Sequence, residues 1–293
     1  MLDTDTYNEV DDQFTLAYAC LSPAQVKLEA CYAAPFHNAR SSGPADGMEK
    51  SYREIHHVLE LVGTDLGGRV FRGATRWLGA GRRPVESEAV TDLISRAMDD
   101  SQPGPLHVVG IAAATNLASA LLLEPRIAQR VRMVWLGGHP YDWPTADEFN
   151  LRQDVPAAQV LFESDVPMLH VPCKNVAEHL ITTAADLREH LPPDQGLGDF
   201  LRQRFDLYLT QKGFQSKPLW DVLTVAVLIN PGWAGIERTS RPRLTDDKRW
   251  QRGTTGEIDV VMEVKRDAIF QDLYRKLKGP ARVPGASHGT PQP

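Results

Sequence analysis

The sequence of 293 residues lacks the features of a secreted scaffold, a membrane protein or a nucleic-acid-binding protein. Its cysteines, Cys20, Cys31 and Cys173, are few, far apart and set in apolar segments, which is typical of reduced core residues rather than a disulfide framework or a zinc site. No apolar run approaches the roughly 20 residues that span a bilayer. No Lys/Arg-rich run is present, and the net charge is −6. We therefore expect a cytoplasmic protein that binds neither membranes nor nucleic acid.

Apolar segments of two kinds alternate along most of the sequence. Those that predict strands, several of them apolar on both faces, are 25–34, 105–114, 130–138, 166–172 and 257–264. Those that predict helices are 12–22, 51–62, 88–100, 115–125, 155–164 and 220–229. The repeated strand-then-helix order predicts an α/β fold with an open, mainly parallel central sheet and helices on both faces. We expect one domain over 1–278 and a disordered tail, rich in glycine and proline, over 279–293.

The first twelve residues contain five carboxylates: Asp3, Asp5, Glu9, Asp11 and Asp12. Only two apolar residues precede them, so we expect a short first strand with the acids at its carboxyl end, where open α/β sheets bind ligands. Close carboxylates raise one another's pKa unless a cation lies among them. Such oxygen-rich clusters suit hard cations, of which Ca²⁺ accepts six to eight ligands and Mg²⁺ requires a stricter octahedron. The alternative is a solvated turn whose Asp11 and Asp12 complement the dipole of the following helix.

Five ordered segments over residues 3–229 resemble the nucleoside hydrolase family. They are the opening DxD and DD, Asn38 after the second predicted strand, the AAATN turn at 112–116, WLGG followed by EFN at 135–150, and KPLWDVLTVAVLI at 217–229. The sequence departs from the commonest family pattern by two extra residues between the acidic pairs and by a turn without Gly-Pro. The resemblance implies a Rossmann-like nucleoside hydrolase fold and assembly as a homodimer or homotetramer.

The resemblance also implies a calcium site, with Mg²⁺ less favoured. By position, its ligands would be the carboxylates of Asp5, Asp12 and Asp221 and the backbone carbonyl of Ile111. Asp5 would also be the general base toward a water that attacks the anomeric carbon of the ribosyl group through an oxocarbenium-like state. Without the resemblance, capping of a helix start is the alternative role for Asp221.

The substrate contacts follow from the same resemblance. Asp11 and Asn38 would bind the ribose hydroxyls, and Glu148 and Asn150 would bind the other edge of the sugar and its 5′-hydroxyl. Simple turn formation is the alternative for Asn38. Supporting roles are expected for Asp3 and Asp154.

The leaving-group end of the pocket differs from the common family pattern. Trp220 occupies the position where many members place a proton-donating histidine, and it resembles the aromatic residue of the purine-preferring branch, which can stack on a base. His37 and His139 are the nearest substitutes for an acid, and we rank His37 first because it adjoins Asn38. Three more aromatic residues are candidates for the pocket wall: Trp77, Tyr141 and Trp143.

The sequence therefore predicts calcium-dependent hydrolysis of the N-glycosidic bond of ribonucleosides to free base and ribose, with purine nucleosides as one preference. The first alternative is a non-catalytic, metal-dependent nucleoside- or sugar-binding protein. The second is a haloacid-dehalogenase-like phosphatase, whose opening motif DxDx[TV] is met by residues 3–6. No later strand followed by a spaced acidic pair supports the phosphatase.

Overall fold

The computed structural model describes residues 1–191, 193, 196–253 and 256–278. The strands of this part are β1 (Leu2–Thr4), β2 (Cys31–Ala33), β3 (Val70–Arg72), β4 (Leu106–Gly110), β5 (Val131–Leu136), β6 (Met168–Val171), β7 (Ile181–Thr183), β8 (Ser216–Pro218), β9 (Ala234–Ser240), β10 (Arg243–Leu244), β11 (Trp250–Gln251) and β12 (Glu257–Val264). The α-helices are α1 (Asp11–Cys20), α2 (Pro44–Val62), α3 (Glu88–Ala97), α4 (Thr115–Leu123), α5 (Phe149–Gln153), α6 (Val155–Glu163), α7 (Ala184–His190), α8 (Leu197–Lys212), α9 (Val222–Ile229) and α10 (Arg266–Leu277).

Eight of the strands form one sheet in the order β3-β2-β1-β4-β5-β6-β12-β9. All neighbours in it are parallel except β12 and β9, which pair antiparallel at one edge. β1 lies in the interior of the sheet, where Asp3 is in register with Tyr32 of β2 and Gly110 of β4. The mainly parallel α/β architecture predicted from the sequence is confirmed.

Side chains of the central strands alternate between two apolar clusters because successive residues of a strand face opposite sides of the sheet. Met133 and Trp135 of β5 belong to the cluster that includes α3, α4 and α6, whereas Val134 and Leu136 belong to the cluster that includes α1, α2, α9 and α10. Each face of the sheet is therefore covered by helices, and the polar site is left to the ends of the strands.

The predicted elements differ from the observed ones mainly at their ends. Only Cys31–Ala33 of the segment 25–34 forms a strand, since its neighbour β1 begins at Leu2, which pairs with Cys31. The helix predicted over 51–62 begins earlier, with Pro44 in its first turn, and it ends at Gly63 in the left-handed conformation. The first strand, β1, has three residues.

The structure also bears on the predictions for the cysteines, for membrane-spanning helices and for the carboxyl-terminal tail. Cys31 and Cys173 are buried, Cys20 is half-buried, and all three are free thiols. In the described part of the chain, no helix has the length and apolarity that crossing a membrane requires. The tail predicted over 279–293 lies outside the described residues. The single domain over 1–278 stays a prediction.

Candidate active site

A cavity of about 300 Å³ opens at the carboxyl ends of the central strands. Its lining includes eight of the residues predicted from the sequence: Asp5, Asp11, Asp12, Ile111, Glu148, Asn150, Trp220 and Asp221. They arrive from five places in the chain, because β1, β4 and β5 end side by side and α1, α5 and α9 begin beside them. Parallel pairing of β1 with β4 and packing of α1 against α9 thus bring residues more than 200 positions apart to one edge of the sheet.

The floor of this cavity is a cluster of buried carboxylates. Asp11 and Asp12 lie in the first turn of α1, Asp221 precedes α9, and one ligand oxygen from each lies within 4.8 Å of the others. The carboxylate of Asp221 makes no capping hydrogen bond to its helix, so helix capping does not account for it. Asp12 accepts a hydrogen bond from the hydroxyl of Thr4, at 2.6 Å.

Asp5 lies beside this cluster and has no hydrogen-bonding partner among the described residues. Its side chain is 1% exposed, and both of its carboxylate oxygens are buried and unpaired. Burial, followed by the negative charges of Asp12, Glu9 and Asp11, holds the pKa of Asp5 well above its usual range. Two buried, unpaired oxygens of one carboxylate are costly unless something positive binds them.

The neighbouring acids Asp12 and Asp221 also have raised pKa values. Burial, together with the charge of Asp11, raises the pKa of Asp12 to about 7. Burial and the charges of Asp11, Asp12 and Asp5 hold the pKa of Asp221 well above its ordinary value. A set of carboxylate oxygens, with the backbone of Ile111 at the same wall, is the donor chemistry of a hard divalent cation, so the residues fit the predicted metal site.

The sugar-side residues are held by backbone groups. The carboxylate of Glu148 accepts hydrogen bonds from the backbone N–H groups of Gly138, Asn150 and Leu151, at 2.9–3.2 Å, and so fixes the start of α5. The side-chain amide of Asn150 donates to the carbonyl of Leu136 at the end of β5, at 3.1 Å. Both side chains are therefore rigidly placed on the wall of the cavity.

Asn38 and His37 do not belong to the cavity lining. The side chain of Asn38 accepts from the backbone N–H of Arg40 in a tight turn and donates to Asn8, at 2.6 Å. Asn8, from the two-residue expansion between the acidic pairs, lines the cavity instead, as expected of a residue that shapes the pocket. His37 is exposed. Direct substrate contacts by His37 and Asn38 stay predictions.

The opposite side of the cavity is aromatic and basic. The ammonium group of Lys174 lies 5.8 Å from the ring centroid of Trp220, and His139 lines the same cavity. The Nδ1 atom of His139 is buried and unpaired, and burial, followed by the charge of Lys174, lowers its pKa. The charges of Asp147 and Glu178 oppose this shift.

The three other aromatic candidates do not line the cavity. Trp77 and Trp143 lie outside it, and Tyr141 stacks on the imidazole of His170, with 5.3 Å between ring centroids. Sequence reasoning missed residues that do line it, namely Asp147, Phe149, Arg152, Lys174 and Tyr208. The only signal for Asn8 was its place in the two-residue expansion after Asp5.

Two buried acids support the site from behind. Asp154 accepts hydrogen bonds from the backbone N–H of Leu78 and the hydroxyl of Thr115, at 2.9 and 2.7 Å. Asp3 accepts from the side-chain amide of Asn116, at 2.7 Å. The turn before α4 is therefore held by acids rather than by a Gly-Pro sequence.

Comparison with known proteins identifies the class. Residues 1–283 match the family described as inosine-uridine preferring nucleoside hydrolase, and the protein belongs to that family. Family membership makes it an enzyme of the glycosidase type and does not support the phosphatase alternative.

Individual relatives are distant but cover much of the chain. The pyrimidine-specific ribonucleoside hydrolase RihA of Salmonella paratyphi A is 24% identical over 211 residues, which are 66% of this chain and 67% of that protein. The structure of the plant nucleoside hydrolase PpNRh1 has a TM-score of 0.76 at 21% identity, with 95% of this chain and 98% of that chain covered. The purine-preferring ribonucleoside hydrolase from Gardnerella vaginalis has a TM-score of 0.74 at 20% identity, with 95% and 97% covered. These two structures share the fold.

Proposed function

We propose that the protein hydrolyses the N-glycosidic bond of ribonucleosides and that it depends on Ca²⁺ held by Asp5, Asp12 and Asp221 and the carbonyl of Ile111. The observation that carries the proposal is the carboxylate of Asp5, which is buried beside three other acids with neither oxygen paired. When bound, the cation supplies a fixed positive charge that lowers the pKa of a water and orients sugar hydroxyls. We favour Ca²⁺ over Mg²⁺ because Ca²⁺ accepts six to eight oxygen ligands, which suits a site lined by several carboxylates.

Asp5 is the general base in this proposal. With one oxygen on the cation, the other oxygen of Asp5 has no hydrogen-bond donor among the described residues and would be available to take a proton from the attacking water. As the bond from the anomeric carbon to the base nitrogen breaks, the ribosyl group becomes positive, and the surrounding carboxylates stabilise that charge. Glu148 and Asn150 hold the sugar in place from the far wall.

The departing base takes the electron pair of the broken bond and lies against Trp220. A ring of this size offers a stacking surface for a purine, which supports a purine preference. The names of the relatives do not select one class of nucleobase, since the Salmonella protein is called pyrimidine-specific and the Gardnerella protein purine-preferring. His139 is the imidazole nearest to this side and replaces His37 as our first candidate for the leaving-group acid.

A non-catalytic nucleoside-binding protein remains the second candidate because the usual histidine before Asp221 is replaced by Trp220. An aspartate at position 5 favours hydrolysis, since an uncharged amide would serve binding without the repulsion that four close acids create. Assembly as a homodimer or homotetramer and a cytoplasmic location stay predictions.

The test is a hydrolysis assay with purine and pyrimidine ribonucleosides and p-nitrophenyl riboside, with Ca²⁺ and with a chelator, followed by the release of reducing sugar. We expect release with Ca²⁺ and its loss on chelation. Asp5→Asn should lower kcat at least about a hundredfold, the usual size of a general-base effect. The control is Asp206→Asn, whose carboxylate is 50% exposed on α8. Absence of release from every substrate would favour the binding protein.

A further inference from the structure

Asp11 lies between the carboxylates of the cluster and a buried lysine, Lys217. One of its oxygens lies within 4.8 Å of ligand oxygens of Asp12 and Asp221, which places it in the cluster that a cation would occupy. Its Oδ1 atom also accepts a hydrogen bond from the ammonium group of Lys217, at 2.9 Å. The ammonium group of Lys217 therefore competes with a metal cation for the carboxylate of Asp11.

Lys217 is held in place from several directions. Its side chain is 1% exposed, and its ammonium group also lies 2.8 Å from Glu9 Oε2 and donates to the carbonyl of Pro218, at 3.1 Å. The ring of Tyr208 covers it, with 5.0 Å from the ammonium to the ring centroid. Burial opposes the charge of Lys217, but the carboxylates of Asp11 and Glu9 more than offset it and raise its pKa.

Glu9 belongs to the two-residue expansion between the acidic pairs, and it lines the cavity beside Tyr208. The hydroxyl of Tyr208 donates only a long hydrogen bond to Glu9, at 3.5 Å, whereas the ion pair of Glu9 with Lys217 is short, at 2.8 Å. Glu9 and Asp11 therefore both form ion pairs with the same lysine, Lys217.

An ammonium group that binds one carboxylate oxygen makes that carboxylate a poorer ligand for a second cation, because like charges repel and one lone pair is used. Asp5, Asp12 and Asp221 have no such partner. We propose that Lys217 is a positioning residue that keeps Asp11 out of the cation's ligand set and reserves its second oxygen for a ribose hydroxyl, with Glu9 fixing the lysine. This inference rests on the proposed function.

The proposal predicts that metal affinity and sugar affinity change in opposite directions in Lys217→Met. Removal of the ammonium adds one net negative charge beside the site and frees Asp11 to coordinate, so the dissociation constant of Ca²⁺ should fall at least tenfold. The freed Asp11 no longer holds the hydroxyl, so KM for a ribonucleoside should rise at least tenfold, with a smaller change in kcat. A merely structural role would weaken both.

Calorimetric titration with Ca²⁺ alone, titration of the Ca²⁺-loaded protein with ribose, and steady-state kinetics measure these effects. The matched control is Lys212→Met, which removes an exposed ammonium 6.0 Å from the ring centroid of Tyr208 and should leave all constants within twofold. Weaker or unchanged Ca²⁺ binding in Lys217→Met would overturn the proposal, as would unchanged affinity for ribose.

Two further variants keep the test decisive if Lys217→Met does not fold. Lys217→Arg keeps the charge and should keep Ca²⁺ affinity within threefold. Glu9→Gln loosens the lysine and should weaken ribose binding several-fold without tightening Ca²⁺ binding; unchanged ribose binding there would contradict the role of Glu9. If the wild-type protein binds Ca²⁺ and ribose but hydrolyses nothing, the proposed function fails while these binding constants still decide the role of Lys217.

Discussion

Asp221→Asn should stabilise the metal-free protein and remove its stabilisation by Ca²⁺. Asp221 is 4% exposed, and one of its oxygens lies within 4.8 Å of ligand oxygens of Asp11 and Asp12. Two unit charges at that separation, in the effective dielectric of a protein, repel by about 3 kcal/mol. Partial protonation relieves part of this energy, since the pKa of Asp12 is already raised to about 7. The amide should therefore increase the free energy of unfolding of the chelated protein by about 1–3 kcal/mol.

The assay is thermal unfolding of wild type and Asp221→Asn at pH 8, with excess chelator and with Ca²⁺. This gain in the free energy of unfolding corresponds to a rise in Tm of roughly 2–10 °C for a protein of this size. Wild type should gain stability from Ca²⁺ because a ligand that binds only the folded state adds to its stability, whereas the variant should gain little. A chelated variant less stable than wild type, or one that keeps the full Ca²⁺ effect, would refute the reasoning. Asp206→Asn on α8 controls for the loss of a carboxylate alone.

Three other substitutions test separate parts of the molecule. Trp220→Ala should raise KM for purine nucleosides about 5- to 100-fold, because base stacking is worth about 1–3 kcal/mol, while Trp220→Phe should keep most of the affinity; steady-state kinetics check both. His139→Gln should lower kcat for nucleosides at least tenfold but spare p-nitrophenyl riboside, whose leaving group needs no proton, and His37→Gln should change neither; equal losses on both substrates would contradict the acid role. His170→Gln should flatten the acid side of the stability curve, measured by denaturant unfolding between pH 7 and 4, since burial lowers the pKa of His170 to about 4 and protonation of the unfolded chain then costs wild type about 3 kcal/mol.

The sign of the His170 effect follows from its burial, which favours the neutral ring. A carbonyl can only accept, so the Nε2 atom carries the proton that it donates to Gly137, at 2.7 Å, and Nδ1 faces the hydroxyl of Tyr141, at 2.8 Å. The hydrogen bond to Gly137 raises the pKa and offsets part of the effect of burial. The lowered folded-state pKa leaves stability intact above the unfolded value of 6.5 and removes it as the pH falls toward 4.

The central strands were predictable from sequence because they carry a local signal. β4, β5, β6 and β12 are rich in apolar residues, and all four lie within their predicted segments. The ends of elements depend on partners far away in the chain, as β2 shows by beginning its pairing where β1 begins. The amphipathic helices α8 and α10 were not predicted, and α8 supplies Tyr208 to the cavity.

Residue identity predicted the acids of the site but not their partners. The acidic loop after the first strand predicted a cation site, but the choice of Asp5, Asp12 and Asp221 as ligands came from the resemblance to the nucleoside hydrolase motifs. The ion pair between Lys217 and Asp11 joins β8 to α1 and leaves no periodic or spacing signal in the sequence. Likewise, only the folded chain shows that Asn8 rather than Asn38 reaches the cavity wall.

The carboxylates of the site come from the first and last thirds of the chain, with Asp5 and Asp12 at one end and Asp221 at the other. During synthesis, the acids at the amino-terminal end leave the ribosome long before their partner exists, so the growing chain has no cluster that concentrates divalent ions. Capture of the ion by the proposed site would therefore await a nearly complete molecule. Metal uptake would then mark the end of folding, and we expect a chain truncated before α9 to retain the ion poorly.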